Sequence, residues 1–228
     1  KRRDIEKAFT NVSNKIKVML GLQNDPFDTF DYLMNKSESV GVKSYFFFMG
    51  RGSTKYDNFY NISDDFIKNL IIKIKKRGHN IGIHPTYNTY NSFKQFKQEK
   101  KELEQNLTTN ITYGREHYLR FEVPTTWQIW ENCNMEWDST VGYADKAGFR
   151  CGVCYPFSVF NILTRKKLGL KEKPLIVMEK SFATYQENIK PKEMEASIKN
   201  IREQVKKYNG EFVILWHNSS LNTHFWKQ

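Results

Sequence analysis

The strongest constraint on this chain is its beat. Short apolar runs of strand length alternate with longer stretches whose apolar residues recur every three or four positions. The runs 43–49 (KSYFFFM), 80–84 (NIGIH), 111–115, 135–139, 174–178 (PLIVM) and 211–217 (EFVILWH) read as strands. Helices are predicted between them. One follows the turn Asn24-Asp-Pro-Phe-Asp28 and runs to about Val40, with Gly41 ending it. A second starts at Ser63-Asp64-Asp65, carries the stripe Phe66, Ile67, Leu70, Ile71 and Ile74, and stops at Gly78. Others are expected over 92–107, 125–133 and 192–208. Strands separated by helices of this length need crossover connections, so the sheet is predicted to be parallel and the class α/β. A single barrel-like domain over 25–228 is the simplest reading. Residues 1–24 precede it as an amphipathic helix, with Ile5, Phe9, Val12, Ile16 and Leu20 near helical spacing, or as a mobile arm. The stretch 142–170, with Gly142, Gly148, Gly152 and Pro156, reads as a long functional loop or an insertion.

Composition narrows the function classes. Hydrophobic residues make up 39% of the 228, enough for a real core. The net charge of +11 admits anionic partners, but many lysines fall in runs such as Lys73, Lys75 and Lys76, typical of solvated helix faces. No nucleic-acid-binding signature is present, so no nucleic-acid partner is expected. The three cysteines make no disulfide framework, and Cys151-Gly-Val-Cys154 lacks the second pair of a zinc ribbon. No apolar run approaches membrane-spanning length. The chain opens on Lys1 rather than Met and is expected to be part of a longer one.

Reactive groups in folds of this class sit at the carboxyl ends of strands. Three histidines match that position: His84 ends one predicted strand, His117 follows another, and His217 ends the last. His79 is an odd number of residues from His84 and faces the other way on an extended strand, so it reads as structural. Arg115, Glu116 and His117 bring a cation, an acid and an imidazole together after a strand. They make either part of a site or a surface ion pair beside a structural histidine. Tyr87, Tyr90, Trp127, Tyr143, Tyr155 and Trp216 cluster near these exits, to stack on sugar rings or to fill the core.

Here a resemblance becomes specific. Gly78–Tyr87, GHNIGIHPTY, resembles the histidine motif of NodB-type polysaccharide deacetylases. Gly114–Phe121 resembles their arginine motif, and FVILWHNSS their final leucine-histidine motif. KSYFFFMG, EWDSTVGYAD and GFRCGVCYPF resemble one branch of that superfamily, and the likeness runs from about Asp25 to Asn218. The resemblance implies a distorted (β/α) barrel and a divalent metal, zinc foremost, held by an Asp and two His. It implies removal of N-acetyl groups from sugars of a glycan or glycolipid. His84 matches the first metal histidine, His217 the general acid and Arg115 the arginine that orients the base. Asp138 stands where that family places a carboxylate partner for the arginine. Tyr87, Asn88, Trp127 and Trp216 are the expected substrate-binding residues.

Two departures matter. The position of the second metal histidine is Asn88, so His117 is expected to replace it. Thr29-Phe30-Asp31-Tyr32 mimics the family's aspartate-bearing first strand, but no apolar strand precedes it and Phe30, Leu33 and Met34 already make a helix. The first strand, with the catalytic base, is therefore expected upstream of Lys1. The rival reading is a non-catalytic carbohydrate-binding protein on the same fold. A third, binding of anionic polymers, rests on charge alone.

Overall fold

A computed structural model describes residues 13, 16–18, 20–23, 25–58, 60–186, 189–222 and 226. In chain order its regular elements are α1 (Phe30–Ser39), β1 (Tyr45–Phe48), α2 (Asp65–Lys76), β2 (Asn80–Ile83), α3 (Phe93–Leu107), β3 (Tyr113–Gly114), α4 (Thr125–Asn132) and β4 (Trp137–Asp138). Then come β5 (Phe157–Asn161), β6 (Lys166–Glu172), β7 (Val177–Met178), α5 (Pro191–Lys207) and β8 (Ile214–Leu215). The expected helix in the first 24 residues lies mostly outside the described residues, although 16–18 are helical.

Six strands form one sheet in the order β1-β2-β3-β4-β6-β5, and β7 pairs with β8. From β1 to β4, and from β4 to β6, every pairing is parallel. The β7–β8 pair is parallel too. Backbone bonds carry the curvature onward from β4: Lys173 N donates to Asp138 O at 2.7 Å, Leu175 N to Val141 O at 3.1 Å, and Ile176 N to Val213 O at 3.2 Å. The α/β barrel expectation holds, because crossover helices cover the sheet as the periodicity predicted.

The helices take their places by their apolar faces. α2 buries Leu70, Ile71 and Ile74, and α3 buries Phe96, Leu103 and Leu107 after Ser92 Oγ caps its start by accepting from Gln95 N. Both pack on Phe48, Ile81 and Ile83 of the sheet, with Trp130 of α4 in the same cluster. Each such burial contributes about 1.5–3 kcal/mol. A second cluster sets Val205, Ile198 and Ile201 of α5 against Ile176, Val177 and Cys154. Phe66 at the start of the α2 stripe stays 53% exposed.

Of the two readings for 142–170, a long loop or an insertion, the loop is corrected over its second half. β5 and β6 form an antiparallel hairpin with a register shift between Ser158 and Phe160. Along β6, Leu168, Leu170 and Glu172 are buried while the residues between them are exposed. That period-two alternation is short and hidden among lysines. The hairpin's backbone is gripped by α4, whose Glu131 carboxylate accepts from Gly169 N at 3.0 Å and Leu170 N at 2.7 Å.

Two sequence expectations are met at the margins of the site. His79 is buried, with Nδ1 accepting from Ser44 N at 3.0 Å and Nε2 facing Glu38 Oε1 at 3.1 Å, a structural role. Asp31 sits on α1 and pairs with Lys73 and Arg77, and of the Thr29–Tyr32 mimic the residues from Phe30 on are helical, with Thr29 just ahead of the helix. Among the described residues no helix is long and apolar enough to cross a membrane.

Candidate active site

Close packing of β2 against β3 builds the centre of the site. A Cβ on Gly114 would collide with the Ile83 carbonyl, so only glycine lets the two strands approach this closely. That approach lets Arg115 N donate to Ile83 O at 3.1 Å and sets Arg115 O 2.7 Å from His84 Nδ1. His117 comes from the turn after β3. Its Nδ1 lies 2.9 Å from His84 Nε2, and its Nε2 lies 2.7 Å from the carbonyl of Tyr56.

A carbonyl oxygen only accepts, so in the neutral rings the protons sit on His84 Nδ1 and His117 Nε2. The remaining nitrogens, His84 Nε2 and His117 Nδ1, then turn lone pairs toward each other. Such a contact is repulsive unless one ring takes a second proton and donates it to the other, or a cation held to the side of the line joining them accepts both lone pairs. Desolvation, aided by the neighbouring His117, pushes His84 down to about 3. Burial also lowers His117, against the pull of Tyr56 O and Asp57.

The third histidine stands on the next edge of the barrel. His217 Nδ1 lies 2.6 Å from Glu179 Oε1, which also accepts from His217 N at 3.0 Å and Ser220 Oγ at 2.6 Å. Glu179 is 1% exposed and its other oxygen, Oε2, has no partner among the described residues. Nδ1 therefore carries the proton toward Glu179, and Nε2 is left for the site. His217 is electrostatically felt by both His84 and His117. The rim where these groups meet also holds the start of α1, where Asn218 Nδ2 donates to Phe27 O at 2.9 Å and Thr29 Oγ1 to Asn218 O at 3.0 Å.

This arrangement can be set beside known proteins. Neither a family model nor a curated protein matches the sequence. Solved structures do match in shape. One, from Mycobacterium smegmatis and named as a polysaccharide deacetylase, superposes with a TM-score of 0.59 at 14% identity over 85% of this chain and 65% of that one. The chitin deacetylase of the fungal pathogen Colletotrichum lindemuthianum superposes with a TM-score of 0.51 at 14% identity, over 90% of this chain and 74% of that one. The fold is the one seen in these two structures. The chain spans just under two thirds of the mycobacterial protein, 65% of its length.

Within this fold, Arg115 is buried and its guanidinium is spent on Ser139, with Nε donating to the carbonyl at 2.6 Å and Nη2 to Oγ at 2.8 Å. No ion pair joins it to Asp138 among the described residues. Burial lowers Arg115 to about 10, against the stabilising charges of Asp138, Glu172 and Glu179. Asp138 is fully buried, accepts from Thr140 Oγ1 at 2.5 Å, and has an Oδ2 without a partner among the described residues. Burial raises it to about 7, and raises its neighbour Glu172 well above the ordinary carboxylate range. One proton shared between such neighbours is the economical state of two carboxylates near one arginine.

Glu116 is likewise held uncharged, pushed up to about 8 by burial. Thr89 Oγ1 sits 2.6 Å from Thr86 O and 2.9 Å from Glu116 Oε2. A hydroxyl has one proton to give, and the carbonyl claims it, so Glu116 donates to Thr89 in return. Its other oxygen accepts from Trp130 Nε1 at 2.8 Å.

The expected substrate-binding residues divide. Asn88 is exposed, with Oδ1 accepting from Arg120 Nη1 at 3.2 Å. Tyr87 carries Tyr56 tilted at 30° with ring centroids 4.4 Å apart, and the Arg120 guanidinium 3.9 Å from its ring centroid. Trp127 is partly buried in the core cluster and donates to Glu172 Oε2 at 3.2 Å. Trp216 packs against Trp226 at 4.6 Å.

Sequence reading missed two acids. Glu179 follows the apolar run PLIVM directly, the same strand-exit position that marked His217, and that signal was available. Asp57 had none. It is 5% exposed in the loop after β1, and its Oδ2 accepts from Ser53 N at 3.0 Å and Thr54 N at 2.7 Å. Oδ1 accepts from Tyr87 N at 2.8 Å and lies 3.9 Å from His117 Nε2. Burial works to raise its pKa, but these donors outweigh it and hold Asp57 below the usual value.

Proposed function

We propose that this chain carries most of the active site of a metal-dependent hydrolase that removes N-acetyl groups from sugars of a polysaccharide or glycolipid. One observation carries the reading. His84 Nε2 and His117 Nδ1 aim at each other across 2.9 Å, while each ring's other nitrogen is tied to a backbone carbonyl. Metal-bound histidines are oriented in this way, by donation of the second ring N–H to a carbonyl or carboxylate. The pair fits two of the ligands of a divalent cation of the zinc class. Among the described residues no group of three or more His, Cys, Asp and Glu completes the set. We assign the remaining carboxylate ligand and the base to a strand ahead of residues 1–24, with 25–228 as the deacetylase-like domain.

When bound, the metal would supply Lewis-acid activation of water and of the amide carbonyl. The chain's own groups do the rest. His217, steered through Nδ1 by Glu179, offers Nε2 to hand a proton to the departing amine. Arg115, locked on Ser139, provides fixed positive charge, and Asp138 Oδ2, without a partner among the described residues, is an acceptor when ionised and a donor when protonated. Asn88, Tyr87, Trp127 and Trp216 border the sugar site. Two of them act by shaping the wall: Tyr87 through its covered ring and Trp127 through Glu172.

The test is acetate release from N-acetylated glycans by a zinc-loaded chain that includes the upstream segment. Release is expected, and His217→Ala should cut it by about 10²–10⁴-fold. No release above the level of that variant would sink the reading. Asn88, standing where a metal histidine was expected, favours the rival of a non-catalytic glycan-binding protein. Glycan binding without stoichiometric metal by elemental analysis would decide for the rival.

A further inference from the structure

The β5–β6 hairpin carries a turn whose residues its fold does not require. Strands reverse most readily through Gly, Asn, Asp or Ser. Here the residues between β5 and β6 are Ile162, Leu163, Thr164 and Arg165. Ile162 is 54% exposed and Leu163 77%. Phe160 of β5 faces out as well, 43% exposed. Single exposed apolar residues are ordinary, but three gathered at one hairpin end form a patch, and patches mark contact surfaces.

The turn is held firmly. Asn161 is buried, and its Oδ1 accepts from Leu163 N and Thr164 N, both at 3.0 Å. Its Nδ2 donates to Gln128 Oε1 of α4 at 2.7 Å. Arg165 closes the turn with a φ of 57°. A buried amide tied to the body of the domain thus keeps Ile162 and Leu163 turned outward.

Cations flank them. Arg165, Lys166 and Lys167 follow directly, and all three are exposed. Lys167 stands opposite Phe160 in the strand register, and Lys166 opposite Asn161. From Phe157 to Lys171 there is no Asp or Glu. Glu131 reaches the hairpin from α4, but its two oxygens accept from Gly169 N and Leu170 N. Among the described residues no side chain pairs with Arg165, Lys166 or Lys167.

An apolar wedge beside unpaired cations matches one kind of surface, acyl chains beneath negative headgroups. A nucleic acid or other polyanion would engage the cations and leave Ile162 and Leu163 in water. We propose that the tip of this hairpin docks the protein on an anionic lipid bilayer. Ile162 and Leu163 enter the acyl boundary, and Arg165, Lys166 and Lys167 meet the headgroups. β6 runs seven residues, about 20 Å of strand, from this tip to Glu172 beside Asp138, so the docking point lies well back from the strand ends that carry the site. The docking is independent of the reaction performed there.

The experiment is co-sedimentation of the 228-residue chain with vesicles of phosphatidylcholine alone and of phosphatidylcholine with about 30% phosphatidylserine. Wild type is expected to bind the anionic vesicles at least about tenfold more tightly than the neutral ones. Replacing the three cations together, Arg165→Gln, Lys166→Gln and Lys167→Gln, should weaken that binding by about 100-fold. Removing equal charge from exposed positions on α5, by Lys192→Gln, Lys199→Gln and Lys206→Gln, should change it by less than about threefold. Ile162→Ser with Leu163→Ser keeps every charge and should weaken it by about tenfold. Equal affinity for the two kinds of vesicle, no binding to either, or equal loss in the two charge variants overturns the proposal. Unchanged binding in the serine variant overturns it too, and assigns the cations to a polyanion.

Discussion

Glu179 shows how much rests on one side chain. Three donors converge on its Oε1, two of them from His217, and the carboxylate itself is sealed from water. Burial alone would raise its pKa, but the hydrogen bonds from His217 and Ser220 outweigh burial and hold it below its ordinary value of 4.5. A carboxyl lowered on folding contributes stability above its unfolded value, and that contribution is lost as pH falls through the folded one. Wild type should therefore lose melting temperature on acidification below pH 4.5 more steeply than Glu179→Gln does. Glu179→Gln also frees the His217 ring to turn or change tautomer, so kcat should drop by about 10²-fold while the circular dichroism of the fold is retained. An unchanged kcat would remove Glu179 from the site. The three histidines were legible in sequence because each ends or follows a clear strand. Asp57 was not, since its role arises only when the loop after β1 folds back onto Tyr87 and His117.

Elements carry the next lesson. Strand positions were readable wherever an apolar run was bounded by Gly or Pro, as with FVILWH and NIGIH. The β5–β6 hairpin was not, because its inward residues include Asn161 and Glu172 and its outward ones are mostly lysine or other polar groups. A buried acid breaks the apolar alternation that sequence reading depends on, and this one is buried because Trp127 Nε1 and Val141 N donate to it. The β2–β3 contact is the element-scale feature that sets His84. Gly114→Ala places a methyl against the Ile83 carbonyl and forces the strands apart. A loss of about 1–3 kcal/mol is expected in urea unfolding, with zinc affinity falling as the Arg115 carbonyl withdraws from His84. If Gly114→Ala were as stable as wild type and bound zinc equally, the close approach of these strands would have no part in building the site.

At the scale of the whole molecule, the described strands make two sheets that follow one another along an open wall. It runs from β1 through β2, β3, β4 and β6, and the chain then turns along 173–176 into the β7–β8 pair. Among the described residues no strand pairs with the outer edge of β1 or with the free side of β8. The edges of β1 and β8 are each a template for another parallel strand. They flank the rim that holds His84, His117 and His217, and the two buried side-chain oxygens without partners among the described residues, Asp138 Oδ2 and Glu179 Oε2, lie in residues at the same strand ends. A strand filling the gap would close the wall and bring its own carboxylates to the imidazole pair. Two histidines alone bind zinc weakly, and each further anionic ligand in a held geometry tightens it. A longer chain with its upstream segment is therefore expected to bind zinc at least about 100-fold more tightly than residues 1–228 alone, read by competition with a metal chelator. Backbone amides of Tyr45–Phe48 should also become slower to exchange in the longer chain, as the outer edge of β1 gains a neighbour. Equal zinc affinity and unchanged exchange along β1 would mean that the gap is not filled by an upstream strand, and that the metal reading must find its third ligand elsewhere.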